Sequence, residues 1–257
     1  MTTPLPQGTS TAATQSARIW AQAKFEIAAI LRNGEQLMVT ILLPLGVLLL
    51  LTTTDVVDLD TGSHTTLDFL TPGVMALAIM SSAFTSQAIA TAFDRRNGVL
   101  RYLATTPLGK SGLLAGKIIG VTLIVLIQLV LIGITAAILG WRPDTAGLLL
   151  LIPATVLGTA SFTALAQLLA GTMRAEAVLA LANIILVALL VGGGILAPAS
   201  QLPGPLEQLA LLLPSGALGE ALRGAFMEGY IPPWSIVVLI GWSAALGWGA
   251  RKLFTWS

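Results

Sequence analysis

Among residues able to do chemistry, the run Gly112-Leu113-Leu114-Ala115-Gly116-Lys117-Ile118 comes first, because glycines followed by a lysine can cradle a phosphate. The spacing is wrong for that task. A phosphate-binding loop needs four residues between its glycines and a Ser or Thr after the lysine to hold magnesium. Here three residues intervene and Ile follows, so no nucleotide site is expected in this chain. The single histidine, His64, shares a polar stretch with Asp55, Asp58, Asp60 and Asp68. An ordinary solvated loop explains these groups better than a base or a loose cation site. There is no cysteine, which excludes disulfides, Cys-ligated zinc and thiol chemistry. Catalytic residues, metal ligands and cofactor ligands are all expected to be absent, and nothing calls for a nucleic-acid partner.

A different kind of chemistry is written into Phe93-Asp94-Arg95-Arg96-Asn97-Gly98-Val99-Leu100-Arg101-Tyr102-Leu103-Ala104-Thr105-Thr106-Pro107. Arg95, Arg96, Arg101 and Lys110 would hold such a segment to anionic lipid in any cytoplasmic loop. That does not explain the apolar residues Val99, Leu100, Leu103 and Leu108 set among the charges. At helical spacing they form a second face suited to a groove in a partner.

The elements that must position this segment are membrane spans. The chain is 55% hydrophobic and 10% charged over 257 residues, far from a soluble average. A bilayer crossing needs about 20 mostly apolar residues. Residues 69–93, 118–141, 145–173, 177–206 and 230–250 carry no Asp, Glu, Lys or Arg, and 37–51, extended by Thr52 to Thr54, adds a shorter sixth. The expected fold is all-α, with six spans near 37–54, 69–93, 117–140, 147–172, 176–197 and 231–251 in one membrane domain, 17–257. Six spans put 11 of the 13 Lys and Arg residues on one side, leaving only Arg142 and Arg223 on the other. The positive-inside rule then places both termini in the cytoplasm of a multi-pass protein of the cell membrane.

Residues 1–16 are polar, lack the apolar core of a secretory signal and read as a disordered cytoplasmic tail. Residues 18–32 read as an amphipathic helix, with Trp20, Ala23, Ile27, Ile30 and Leu31 on one side, lying in the membrane interface. Gly112, Gly116 and Gly120 form a smooth stripe for close helix contact, within the same subunit rather than between subunits. Gly192-Gly193-Gly194, Pro198, Pro203, Gly204 and Pro205 break the 177–206 stretch. The following 206–226, interrupted at Pro214-Ser215-Gly216, is too short to cross twice, so a re-entrant hairpin is expected, with Glu220 and Arg223 paired three residues apart.

No charge falls at an expected span centre. Gln87, Gln128, Gln167 and Asn183 are the polar side chains there, able to line a path or bond a neighbouring helix but not to carry a proton. This weighs against a proton-driven secondary transporter. A self-sufficient transporter or channel stays open as an alternative, and an intramembrane enzyme has little support.

Two regions together carry a family resemblance: Asp94 through Gly116-Lys117, and Gly192 through Ala197-Pro198, Gln201-Leu202-Pro203 and Leu213-Pro214-Ser215 to Glu220-Ala221-Leu222-Arg223-Gly224. They resemble ABC-2 type permeases, the membrane subunits of ABC exporters, and among these the daunorubicin-resistance type. Asp94 stands where many members have Glu. The resemblance implies two such subunits, identical or homologous, on two ATPase subunits that bind ATP and Mg2+. It implies that Asp94, Arg95, Arg96, Gly98, Val99, Leu100, Arg101, Leu103 and Pro107 belong to a coupling helix docked in the ATPase, with Val99, Leu100 and Leu103 inserted. Pro214, Glu220 and Arg223 then fall in an outer re-entrant hairpin. A low aromatic content, 6%, favours an amphiphilic drug or lipid over the polysaccharide or glycolipid that related exporters carry.

Overall fold

A computed structural model describes residues 13–53, 65–195 and 204–255, and every one of its described regular elements is helical. The polar stretch with Asp55, Asp58, Asp60 and His64, most of the N-terminal tail, and Pro198 and Pro203 lie outside the described residues. The order is α1 (Gln15–Arg32), α2 (Gly34–Thr53), α3 (Thr66–Met80), a π-helical turn (Ser81–Ser86), α4 (Gln87–Arg96), α5 (Val99–Ala104), α6 (Gly109–Ile138), α7 (Thr145–Thr172), α8 (Ala175–Gly192), α9 (Pro205–Leu212), α10 (Pro214–Arg223), a second π turn (Gly224–Glu228) and α11 (Pro233–Leu253).

Local chemistry sets the helix starts. Thr65 and Asp68 form a reciprocal capping box at α3, each side chain taking the other's backbone N–H. Asp144 caps α7 by accepting from the Ala146 N–H at 2.8 Å. Pro214 and Pro233 open α10 and α11, where a missing N–H costs nothing.

Five helical runs are long and apolar enough to cross a bilayer: Thr66–Arg96, Gly109–Ile138, Thr145–Thr172, Ala175–Gly192 and Pro233–Leu253. The chain is thus an all-α, multi-pass membrane protein. The remaining expected span corresponds to α2, whose apolar part, Thr40–Thr53, is shorter. Thr66–Arg96 is the centre of the bundle. Its most apolar window is 83% buried, against 17% for α8. The surface of α8 shows Leu179, Ile184, Val187 and Val191, and α2 shows Leu42, Leu43, Leu49 and Leu50. A soluble protein hides such side chains; in a membrane they face hydrocarbon at no cost.

The helices run up and down, so the molecule has two ends. One carries α5, the start of α6, the α7–α8 turn and the residues after α11. The other carries the starts of α3 and α7, the end of α8, and α9–α10.

Gly112, Gly116 and Gly120 let α1 lie directly on α6. A methyl group on Gly116 would meet the Gln22 side chain at 2.6 Å, and one on Gly120 would meet Glu26 Cβ at 2.9 Å and the Ala23 carbonyl at 3.0 Å. The stripe is therefore a contact within the subunit. Gly116→Leu is expected to lift α1 from α6, seen as faster amide exchange across residues 15–32 with the spans unaffected.

The expected apolar side of α1 is divided: Ala23 and Ile30 are buried together with Gln22 and Glu26. Trp20, Phe25 and Leu31 are exposed. The reason is a buried base on α6 that needs an acid.

Candidate functional site

The α5 end is built around a short turn that only glycine makes easily. α4 ends at Arg96, and Gly98 takes φ +81°, a left-handed conformation that reverses the chain into α5. α5 then presents three different faces.

Leu100 faces inward and is 1% exposed, packed with Leu108, Leu113 and Phe254, with Leu103 against the cluster. The expectation that Leu100 inserts into a partner's cleft is corrected here: its own subunit already covers it. Val99 and Leu103 are half-buried and line an open apolar groove of about 490 Å³ between α5 and α1, with Arg18, Ala21, Phe25 and Tyr102. The third face is solvent-facing. Arg101 and Thr105 are exposed there, and Tyr102 is 74% exposed.

Other residues staple this end together. Arg18 donates to the Pro107 carbonyl and Gln15 to the Leu108 carbonyl, at 3.3 Å, which joins α1 to the turn after α5. Lys110 donates to the Phe254 carbonyl. Thr255 bonds Gly171 through both its N–H, at 3.2 Å, and its hydroxyl, at 2.8 Å. Arg95 donates to the Met173 carbonyl and to Thr255. Arg96 pairs with Glu176 at 2.8 Å, both side chains well exposed, so the pair adds little stability. Arg95 and Arg96, placed by the resemblance in a coupling helix, tie α4 to the α7–α8 turn within the subunit. Pro107 is exposed, and its carbonyl rather than its ring is what the fold uses.

Asp94 is half-buried within electrostatic reach of Lys117 and Glu26. Lys117 is not on the surface, as a residue opening a span would be. α6 begins eight residues earlier, at Gly109, so Lys117 lies inside the helix and its side chain is 1% exposed. Its ammonium pairs with Glu26 at 2.7 Å and donates to Gln87 at 3.4 Å, while Gln22 donates to Glu26 at 2.7 Å. Gly112 to Lys117 is regular helix, consistent with its rejection as a phosphate loop.

The buried glutamines join helices. Gln128 accepts from Ser82 at 2.8 Å and donates to the Thr40 carbonyl at 2.7 Å, linking α6 to the π turn and to α2. Gln167 donates to Thr91 at 3.0 Å, linking α7 to α4. Asn183 stands apart: it is exposed and donates back to the Leu179 carbonyl on its own helix.

At the opposite end, α10 is buried and α9 covers it. Glu220 and Arg223 pair at 2.9 Å as expected from their spacing. The guanidinium does more than the sequence indicated. It donates to the Gly194 and Ile195 carbonyls at 2.8 and 2.6 Å, just past the end of α8, and stacks over the Phe69 ring at 4.1 Å. One side chain thus ties the hairpin to α8 and α3.

Sequence reading missed Glu26, Lys117, Tyr102 and Phe254. Lys117 directly follows Gly116 of the stripe, and Glu26 Cβ lies over Gly120, so the two meet once α1 is laid on α6. Phe254 carried no such signal, because its partners Leu100, Leu108, Leu113 and Gly171 are all distant in the chain.

The model of the ABC-2 type transporter family matches residues 17–227, which includes α5, α6 and the hairpin. No curated protein matches the chain.

Proposed function

The chain belongs to the ABC-2 type transporter family, and from that premise we propose that it is the permease of an ATP-driven exporter that moves an amphiphilic substrate, drug-like or lipid-like, out of the cytoplasm. Family membership makes it a membrane component without its own ATPase site and implies an ABC ATPase partner. That ATPase binds ATP and Mg2+ and docks on the α5 end. A second permease subunit, the same or a homologue, completes the path.

The observation that carries this reading is α5 itself. Its exposed Arg101 and Tyr102 stand beside an open apolar groove, at the tip of the most buried helical run. Tyr and Arg are the side chains most often decisive at protein interfaces. A docked partner that pushes on α5 moves a helix that crosses the centre of the bundle. The aliphatic character of the spans, with aromatics at 6%, supports an amphiphile over a sugar chain. The eleven-to-two division of Lys and Arg supports six spans, with the α5 end in the cytoplasm and the hairpin in the outer leaflet.

Arg101→Asp with Tyr102→Ala changes only exposed side chains, so the permease should insert and fold normally. The ATPase should copurify at least about tenfold less well. Normal copurification would end the docking assignment. Topology is tested separately. In this cysteine-free chain, cysteines placed at Pro143 and Gln208 should react with an impermeant reagent from outside the cell. Labelling only after the membrane is opened would reverse the orientation.

A further inference from the structure

We propose that Glu26 and Lys117 form a joint that makes α1 and α6 move as one body, so that a displacement of α5 enters the bundle through α6 as well as through α4. This rests on the docking of an ATPase at α5. Three observations meet here.

First, contact between α1 and α6 has no slack. Gln22 Cβ and Cγ with the Ile19 carbonyl fill the space above Gly116, and Glu26 Cβ with the Ala23 backbone fills that above Gly120, so a slide of α1 along α6 brings side chains into collision. Second, the ion pair is buried. Lys117 is 1% and Glu26 7% exposed, at 2.7 Å, with Gln22 and Gln87 supplying further hydrogen bonds. In low dielectric the attraction falls steeply with separation, and an isolated buried charge is strongly disfavoured. Sliding therefore costs far more here than at an exposed pair. Third, α1 is bonded to the turn after α5 through Arg18 and Gln15, so it receives the motion of α5 directly. Only Asn33 separates α1 from α2, and no ion pair holds those two helices among the described residues. Glu26 and Lys117 are positioning residues: they set where α1 stands and touch no substrate.

The test uses the full complex of permease and ATPase in vesicles, with spin labels on cysteines at the exposed positions Lys24 and Ser111. In the wild-type background the label distance should be narrow and equal in the nucleotide-free state and in the state trapped with ATP and vanadate. K117M leaves Glu26 buried and unpaired. The distance should broaden, and kcat for ATP hydrolysis should fall about tenfold or more, with the KM for ATP and ATPase copurification unchanged. If K117M does not assemble, Glu26→Leu with Lys117→Met, which buries no orphan charge, is expected to give the same reading. A wild-type distance that differs between the two states beyond the width of either distribution overturns the proposal. So does a variant with an unbroadened distance or an unchanged kcat. Failure of the docking assignment shows instead in normal copurification of the Arg101 and Tyr102 variant, so the two outcomes are separable.

Discussion

Replacing Arg223 by Met is expected to cost about 3–5 kcal/mol of stability, near the lower end because Glu220 is partly exposed. The side chain is 5% exposed, and its loss leaves three acceptors without their donor: the Glu220 carboxylate and the Gly194 and Ile195 carbonyls. Methionine fills much of the volume and keeps a contact with Phe69, so the loss reports the hydrogen bonds and charge rather than a cavity. Arg223→Lys keeps the charge but has no planar fork, and cannot reach two carbonyls and a carboxylate together. It should fall between the two. Glu220→Gln should be the mildest of the three, since it keeps an acceptor. The measurement is the midpoint of thermal aggregation in detergent, followed by size exclusion. Equal midpoints for wild type and Arg223→Met would mean that the hairpin end is held by apolar packing alone.

Leu100→Asp should have the other large effect, with a different readout. Even Leu100→Ala removes buried volume at about 2–5 kcal/mol, and a carboxylate adds the cost of a buried charge with no partner. The cluster of Leu100, Leu108, Leu113 and Phe254 joins α5, the start of α6 and the chain after α11. All three should loosen together. Amide exchange should rise across residues 99–113 and 250–255, while residues 70–92 stay protected. The spans should still insert, because no span is altered. ATPase docking should also fall, but for a structural reason. Arg101→Asp with Tyr102→Ala should impair docking with exchange unchanged. If Leu100→Asp leaves exchange at wild-type levels, Leu100 is not the anchor that its burial indicates.

The helices and their membrane character were legible because hydrocarbon demands long uncharged runs, such as residues 118–141 and 145–173. The break after Gly192 and the pairing of Glu220 with Arg223 followed from glycine and from helical spacing. What spacing could not tell was which side of α5 faces in. Val99, Leu100 and Leu103 form an apolar face in sequence, but Phe254 arrives from the far end of the chain to cover part of it. For the same reason Arg95 and Arg96 read as free cations, although their acceptors lie on the α7–α8 turn. A lysine next to an apolar run, as Lys117 is, marks a boundary only when it has no buried acid opposite, and Glu26 is such an acid. Residue type groups Asn183 with Gln87, Gln128 and Gln167, and only the rotation of α8 separates it.

The bonds of Arg223 also bear on how the protein is made. The Gly194 and Ile195 carbonyls wait for a donor that lies 29 and 28 residues further along the chain. A ribosome delivers the chain N-terminus first, at about 5–20 residues per second. α8 therefore enters the membrane a few seconds before its last carbonyls can be satisfied, and its end must stay with water or an insertase until α10 emerges. The end of α8 is thus complete only once the hairpin is made, although its carbonyls precede their donor in the chain.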